Sequence, residues 1–227
     1  MVAHMIKSFV CVCTGDKYPP SYVNTLYNMV QRNSTDVRFH VITDSNKSGF
    51  NPEIKQIVVA PLYKSWWNKV HMFRNDIGLE GTVIFMDLDV VITGNIDCFY
   101  THEAQLDFCG MNDFNPVSGV WNSSIMRFKQ QDLHGRIWHK FMDDRPGYLR
   151  KFPGDQNLIS DFLLNTPGTS SFPDSWTQSY KWYDRSGTRF SKQTWTYEHN
   201  GESLVTVFHG QPNPHESDME WIKNAWK

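Results

Sequence analysis

Apolar residues along this chain fall into short runs that alternate with segments of helical periodicity. In the first third, runs at 8–13, 39–43 and 57–60 have the length and the β-branched and aromatic content of buried strands. Helical spacing follows Pro20 and recurs at 66–76. Strands that alternate with helices in this way predict an α/β domain with an open, mostly parallel central sheet flanked by helices.

The segment 66–76 carries the more informative of these two helical patterns. Its apolar residues are predicted to lie on one helical stripe, which contains Trp66, Trp67, Val70 and Phe73. Asn68 and Lys69 lie beside that stripe.

The second half of the chain is less regular. Further strands are predicted at 106–111, 125–128 and 204–208, and helices at 131–143, 155–164 and near 216–226. The stretch 170–200 is rich in aromatic residues, Ser and Thr without a clean period, so loops with short strands are predicted there. With 227 residues and no repeat or linker, the chain is predicted to form a single domain.

The run Val83–Ile92 contains two carboxylates among eight apolar residues. On one continuous strand, Asp87 and Asp89 would point to the same side, about 7 Å apart. Because buried acids are costly unless a positive group neutralises them, this pair predicts a divalent cation bound through oxygen ligands. In the alternative, one acid ends the strand, the other lies in a loop, and both are solvated.

Polar residues also follow the two earlier strands. Thr14, Gly15 and Asp16 come directly after the first, and Asp44 follows the second. Ligands of open α/β sheets bind beyond the carboxyl ends of the strands, so these residues and the acid pair are predicted to share one edge.

A third metal ligand is predicted in the imidazole of His209, which follows the late apolar strand. Imidazole suits manganese better than calcium. The alternative is a hydrogen-bonded turn residue.

Taken together, these motifs resemble those of a known family. An apolar strand ending in Asp-x-Asp, a late strand ending in His, and Gly-Asp-Gln at 154–156 resemble the glycosyltransferases of the GT-A fold, most closely the glycogenin-like family 8 group. The resemblance implies a Rossmann-like GT-A domain with a nucleotide-binding part at about 1–95. The part at about 96–227 would hold the sugar, the acceptor and the C-terminal metal-binding segment.

The same resemblance implies the chemistry. The donor would be a nucleoside diphosphate sugar, UDP-glucose or UDP-galactose, and Mn²⁺ or Mg²⁺ would be the cofactor. The acceptor is unknown, and transfer would retain the anomeric configuration. Asp87, Asp89 and His209 would hold the metal, and Asp155 and Gln156 would contact the transferred sugar as catalytic residues. The donor would be bound by Thr14, Gly15, Asp16, Asp44, Lys69, Asp87, Leu88, Asn122 and Gly210.

Three of these positions have ordinary structural alternatives. Lys69 would be a solvated helix residue, Asp155 a helix N-cap and Asn122 a turn residue. Ser124 also replaces the usual Gly of the family's Asn-Ser/Ala-Gly-Val segment.

The family's C-terminal His-x-x-Gly-x-x-Lys-Pro-Trp run is the clearest departure. Here the run from 209 to 215 reads His-Gly-Gln-Pro-Asn-Pro-His and lacks the lysine that holds the diphosphate. The candidates to replace that lysine are Gln211, Asn213, His215 and Lys223.

Two other functions fit parts of the pattern. A haloacid-dehalogenase-like phosphatase would use Asp87 as a nucleophile that forms a phosphoaspartate, with Asp143 and Asp144 as its late acidic pair. That motif normally opens its domain, whereas two or three strands precede it here. A non-catalytic nucleotide-sugar-binding module is the other alternative.

Composition narrows the partners and the compartment. A net charge of -2 argues against an extended nucleic-acid surface. No apolar run is long enough to span a bilayer and no signal-peptide pattern opens the sequence, so a soluble, cytoplasmic protein is predicted. Four cysteines without zinc-site spacing predict free thiols.

Aromatic residues make up 15% of the chain, and nine of them are Trp. Such an excess is typical of concave sites that stack bases or sugars. One group of aromatic residues is predicted either to stack an acceptor sugar or to form core beneath a long loop. This group consists of Trp176, Tyr180, Trp182, Tyr183, Trp195 and Tyr197.

Overall fold

The predicted apolar runs form the strands of two sheets in the computed structural model, which describes residues 6–45, 47–63, 65–182, 185 and 198–227. The strands are β1 (Lys7–Val12), β2 (Val37–Thr43), β3 (Lys55–Val58), β4 (Thr82–Met86), β5 (Val90–Ile92), β6 (Phe108–Asn112), β7 (Trp121–Lys129), β8 (Thr169–Ser171), β9 (Thr177–Ser179) and β10 (Val205–Val207).

Seven strands form the main sheet in the order β3-β2-β1-β4-β7-β6-β8. The pairs of β1 with β2, β2 with β3, β1 with β4 and β6 with β8 are parallel, whereas β7 is antiparallel to β4 and β6. The predicted α/β class with a mostly parallel sheet is therefore confirmed. Because β1, β2 and β4 are parallel neighbours, their carboxyl ends meet at one edge.

Helices cover both faces of this sheet. They are α1 (Pro20–Asn33), α2 (Asp97–Thr101), α3 (Gln130–Leu133), α4 (Lys140–Asp143), α5 (Arg145–Lys151), α6 (Asp155–Leu163) and α7 (Glu220–Ala225), with a long 3₁₀ segment (Ser65–Phe73) and a π-helix (His134–His139). The predicted helix at 131–143 is thus α3, the π-helix and α4 in succession.

The alternation of side chains along β4 shows why the sheet needs both layers. Ile84 and Met86 pack into the core beneath α1, whereas Val83 and Phe85 pack into the core beneath the 3₁₀ segment and α6. All four side chains are at most 1% exposed. A strand that is apolar on both faces is stable only between two helical layers, as its near-continuous apolar composition predicts.

The prediction of one continuous strand over Val83–Ile92 is wrong. β4 ends at Met86, and the amide of Asp87 makes a last bond to the carbonyl of Ser124 at 2.9 Å. The chain then turns, and β5 pairs with β10 in a separate three-stranded sheet, β5-β10-β9. The residues on either side of the turn are apolar because β4 and β5 are each buried in their own sheet. The hydrophobic pattern of the sequence therefore does not show where the strand ends.

Two further features of the described residues concern the cysteines and the length of the helices. All four cysteines are free, and Cys98 is the partly exposed one. No helix within these residues is long and apolar enough to cross a membrane. The division near residue 95 stays a prediction.

Two buried histidines generate a prediction about stability. Burial lowers the pKa of His40 and of His71 from the ordinary 6.5 to about 4. The folded state therefore takes up protons less readily than the unfolded chain, and the stability present above pH 6.5 is lost as the pH falls towards 4. Denaturant titrations at pH 7.5 and pH 5 are expected to show a lower free energy of unfolding at pH 5. The difference between the two pH values is expected to be smaller in His40→Met, because this variant lacks one of the two buried imidazoles.

Val117→Ala is the control, because Val117 is 88% exposed and carries no titratable group, and it is expected to keep the wild-type pH dependence. An unchanged pH dependence in His40→Met would contradict the assignment.

Candidate active site

A cavity of about 550 Å³ opens at the edge where β1, β2 and β4 end. Most of the predicted site residues line it, although they come from distant parts of the chain. These are Thr14, Lys69, Asp87, Leu88, Asp89, Asn122, Asp155, Gln156, His209 and Gly210. Gly15, Asp16 and Asp44 do not line this cavity. The amide of Gly15 donates to Oδ2 of Asp44 at 2.8 Å, so these two residues brace the loop behind Thr14.

The two acids of the Asp-x-Asp motif lie in the turn between β4 and β5. Leu88 between them is 2% exposed and anchors the turn in the core. Oδ2 of Asp89 accepts hydrogen bonds from the amide of Gly210 at 2.8 Å and from the Tyr18 hydroxyl at 3.3 Å. Asp89 therefore joins the loops that follow β1 and β10. The alternative in which one acid ends the strand and the other lies in a loop correctly places Asp89 outside a strand. Its expectation that both acids are solvated is wrong, because Asp89 is buried.

Tyr18 was missed by the sequence analysis, and its protonation state matters to Asp89. Burial, and then the neighbouring Asp89 and Asp87, raise the pKa of the Tyr18 phenol. The hydroxyl therefore stays protonated and donates to Asp89 at physiological pH. Its position in the loop directly after Thr14, Gly15 and Asp16, at the predicted edge, was the available signal.

Lys69 is buried, at 9% exposure, and lines the cavity. Its Nζ is 2.8 Å from Oδ1 of Asp87, 3.7 Å from Oδ2 of Asp155 and 3.2 Å from Oγ of Ser123. Burial by itself would lower the Lys69 pKa, but the carboxylates of Asp155 and Asp87 outweigh it, so the pKa is raised and the ammonium stays charged. The alternative of a solvated helix residue is therefore wrong.

Asp87 experiences the opposite balance. Burial raises the pKa of its carboxyl group to about 6, and the adjacent Lys69 ammonium limits the rise. Asp89 and Asp155 add repulsion in the same direction as burial. The site therefore holds three carboxylates around one buried ammonium.

The 3₁₀ geometry of Ser65–Phe73 explains how Lys69 reaches this place. Such a helix has three residues per turn, so side chains three apart share a face. Trp67, Val70 and Phe73 form the buried face, at 3%, 0% and 0% exposure. Trp66 and Lys69 form another face, and both line the cavity.

The predicted stripe of an α-helix is consequently wrong for Trp66. This side chain is 49% exposed and does not share the face of Trp67. Asn68 lies on the third face, where its Nδ2 donates to Oγ1 of Thr14 at 3.1 Å.

Asp155 begins α6, and Gly154 is the N-cap residue. The Asp155 side chain makes no capping hydrogen bond, is 4% exposed and directs Oδ2 towards Lys69. The N-cap alternative is therefore wrong.

Asn122 is buried on β7, where its Oδ1 accepts from the amide of Ser124 at 3.0 Å and its Nδ2 donates to Asp113 at 3.3 Å. It holds the segment that contains Ser123 against the cavity, which also excludes the turn alternative.

His209 lies beside the cavity with backbone φ of 56°. Its ring packs edge-on against Phe114, with centroids 5.4 Å apart, and its carbonyl accepts from Nζ of Lys181 at 2.7 Å. Within the described ranges, no group of three or more His, Cys, Asp or Glu side chains is arranged to hold a metal ion. The role of His209 as third ligand thus stays a prediction.

None of the four proposed replacements for the missing lysine lines the cavity. Lys223 pairs with Asp218 at 3.2 Å, His215 contacts the Tyr22 hydroxyl, and Asn213 bonds Glu216. Instead, the exposed Lys17 lines the cavity from the loop after β1, another residue that the sequence analysis missed.

The late aromatic residues are mostly core within the described part of the chain. Trp176 packs against Phe99 at 5.1 Å, Tyr180 stacks on Phe208 at 4.2 Å, and Trp182 is partly buried against the same core. Tyr183, Trp195 and Tyr197 lie outside the described residues.

Comparison with solved structures identifies this architecture. The galactosyltransferase LgtC, solved with donor and acceptor sugar analogs, has a TM-score of 0.67 at 15% identity, over 96% of this chain and 91% of that one. GlyE of Streptococcus pneumoniae TIGR4 has a TM-score of 0.69 at 14% identity, over 97% of this chain and 60% of GlyE. The chain has the GT-A glycosyltransferase fold.

Mouse xyloside xylosyltransferase 1 shares this GT-A fold more distantly, with a TM-score of 0.60 at 11% identity, over 91% of this chain and 98% of that one. No family model and no curated protein matches the sequence. The phosphatase and binding-module alternatives are not favoured. Asp144 instead caps α5 by accepting from the amide of Gly147 at 3.0 Å, and neither Asp143 nor Asp144 lines the cavity.

The charge balance around Lys69 generates a prediction about stability. Lys69→Met would leave Asp87 and Asp155 without their shared cation. Removal of one partner from a buried ion pair is expected to lower the free energy of unfolding by about 3 kcal/mol. Urea unfolding at pH 7.5 measures this change.

Lys151→Met is the control, because the Lys151–Asp161 pair is exposed and is expected to contribute less than about 1 kcal/mol. Equal losses in the two variants would refute the central role of Lys69.

Proposed function

We propose that this protein is a metal-dependent glycosyltransferase that moves a hexose from a nucleoside diphosphate sugar to an acceptor. UDP-glucose and UDP-galactose are the proposed donors, and Mn²⁺ or Mg²⁺ the cofactor. The observation that carries the proposal is the convergence of Asp87, Asp89, Lys69 and Asp155 in one cavity at the carboxyl edge of a GT-A fold. These four side chains come from a stretch of 87 positions. A purely structural ion pair would need only one acid and one base, so the two additional acids support a functional site.

The charge of the cavity supports a divalent cation. Its described lining residues include three carboxylates, from Asp87, Asp89 and Asp155, and two ammonium groups, of which Lys17 is exposed. A diphosphate would be repelled by this acidic surface, whereas a divalent cation would be attracted to it. Burial raises the pKa of Asp87 to about 6, because it removes water from the charged carboxylate. A bound cation would offset this desolvation cost.

Asp87 and Asp89 would hold this cation, with His209 as the proposed third ligand and donor oxygens in the remaining positions. The cation would supply charge stabilisation for the departing diphosphate. Oxygen-rich coordination with one imidazole fits manganese, and the carboxylates also accept magnesium.

The residues of the chain itself would orient the donor. Lys69, fixed by Asp87 and Asp155, presents a permanent positive charge beside the acid pair, and Lys17 supplies a second one at the rim. Asp155 and Gln156 begin α6 inside the cavity and are proposed to contact the transferred sugar. Thr14, held by Asn68, and Gly15, held by Asp44, are proposed to position the nucleotide.

The proposed reaction is a substitution at the anomeric carbon. The bond from that carbon to the diphosphate oxygen breaks, and its electron pair leaves with the nucleoside diphosphate. A new bond forms to an acceptor hydroxyl, whose proton passes to the diphosphate or to solvent. Retention of configuration is part of the proposal.

Incubation with radiolabelled UDP-glucose or UDP-galactose and Mn²⁺ tests this function. Sugar release or transfer is expected, and EDTA is expected to abolish it. Asp87→Asn and Asp89→Asn are each expected to lower the rate by about 100-fold, because each loses a metal-binding charge. The control Asp161→Asn, in the exposed pair with Lys151, is expected to keep the wild-type rate.

Failure of both hydrolysis and transfer across a broad panel of nucleotide sugars would refute the proposal. A trapped aspartyl phosphate on Asp87 would instead establish the phosphatase alternative.

A further inference from the structure

Trp66 is an exposed aromatic residue on the rim of the cavity. Its side chain is 49% exposed, although Trp67 next to it is 3% exposed. Other exposed large apolar side chains of the described residues, such as Val58, Val117 and Met142, do not line the cavity. The exposure of Trp66 therefore coincides with the place where a ligand would enter.

Two contacts hold the indole in position. Its Nε1 donates to the carbonyl of Pro153 at 3.2 Å. Gly154 allows this approach, since a Cβ at that residue would lie 3.0 Å from Nε1 and 3.2 Å from Cδ1. The backbone of Gly154 is extended, so close packing against Trp66 is the reason for a glycine here, not an unusual φ. An aromatic ring that is already oriented loses little conformational entropy when it binds a ligand.

These contacts also restrict the chemistry of the ligand. The indole N–H is the ring's sole hydrogen-bond donor, and Pro153 already accepts it. The exposed remainder of the ring is apolar, while Asp155, Gln156 and Asn157 beside it are polar. A ligand that satisfies both surfaces has an apolar C–H face and peripheral hydroxyl groups, as a pyranose ring has.

We propose that Trp66 is a stacking platform for a saccharide acceptor, which rests on the proposed glycosyltransferase function. The contacts of Trp66 are with Pro153 and Gly154, directly before the residues proposed to meet the transferred sugar. The nucleotide is proposed to lie at Thr14 and Gly15 in the loop after β1, whereas the indole packs on the segment that leads into α6. Trp66 therefore selects the acceptor, and a pyranose sugar is the class that it accepts.

Two measurements test the platform separately from the donor site. The first is the rate of UDP-sugar hydrolysis without acceptor, in Mn²⁺. The second is binding of the labelled protein to a broad glycan array in the presence of UDP and Mn²⁺. Trp66→Ala is expected to leave hydrolysis within twofold of wild type and to weaken saccharide binding about tenfold, as expected for loss of one aromatic contact.

Two further variants separate stacking from folding. Trp66→Phe keeps an aromatic face and is expected to retain most of the saccharide binding. Tyr63→Ala is the matched control, because Tyr63 is 47% exposed on the same stretch of chain and does not line the cavity. It is expected to bind saccharides as the wild type does.

The possible outcomes are distinct. Wild-type hydrolysis without binding to any glycan would refute a saccharide acceptor while leaving the transferase intact. Loss of hydrolysis in Trp66→Ala would place the indole at the donor and refute the platform. Equal saccharide binding by wild type and Trp66→Ala would refute it as well. If the wild type neither hydrolyses nor transfers any sugar, the proposed function itself fails.

Discussion

The buried ammonium of Lys69 is the interaction on which the site depends. Asp87 and Asp89 lie in the turn between β4 and β5, whereas Asp155 begins α6. Without a cation, the repulsion between these carboxylates would push the turn and the start of α6 apart. Lys69 contacts Asp87 and Asp155 directly and lowers the cost of burying both. Its single positive charge does not balance the negative charges of three carboxylates. This excess of negative charge is the physical basis for proposing a divalent cation.

Asp89 is supported by a different set of contacts. Its carboxylate accepts from Tyr18 and from the amide of Gly210, so it connects the loop after β1 with the loop after β10. The break between β4 and β5 makes this possible, because the chain leaves the main sheet at Asp87 and enters the small sheet at Val90. The acid pair thus lies where the two sheets meet, and each sheet orients one side of the turn.

Much of this arrangement was predictable from local patterns. The apolar runs identify the strands, and parallel strands bring their carboxyl ends together, so Thr14 and the two acids had to lie near one edge. The resemblance added Lys69, Asn122 and Asp155, which all line the cavity. Lys17 and Tyr18 were missed because a loop residue carries no periodic signal. The role of Tyr18 also depends on its contact with Asp89, which lies 71 positions away in the sequence.

Local sequence patterns identify most of the buried strand residues, the order of the main strands and helices along the chain, and the paired acids after a buried strand. They place Trp66 wrongly, because its side chain is 49% exposed. Tertiary structure alone decided which strand each run pairs with, and therefore where Val83–Ile92 breaks. It also decided the 3₁₀ register that separates Trp66 from Trp67 and carries Trp66 to the rim. The physical reason is that apolar spacing encodes burial, whereas strand pairing and helix type depend on partners that lie far away in sequence.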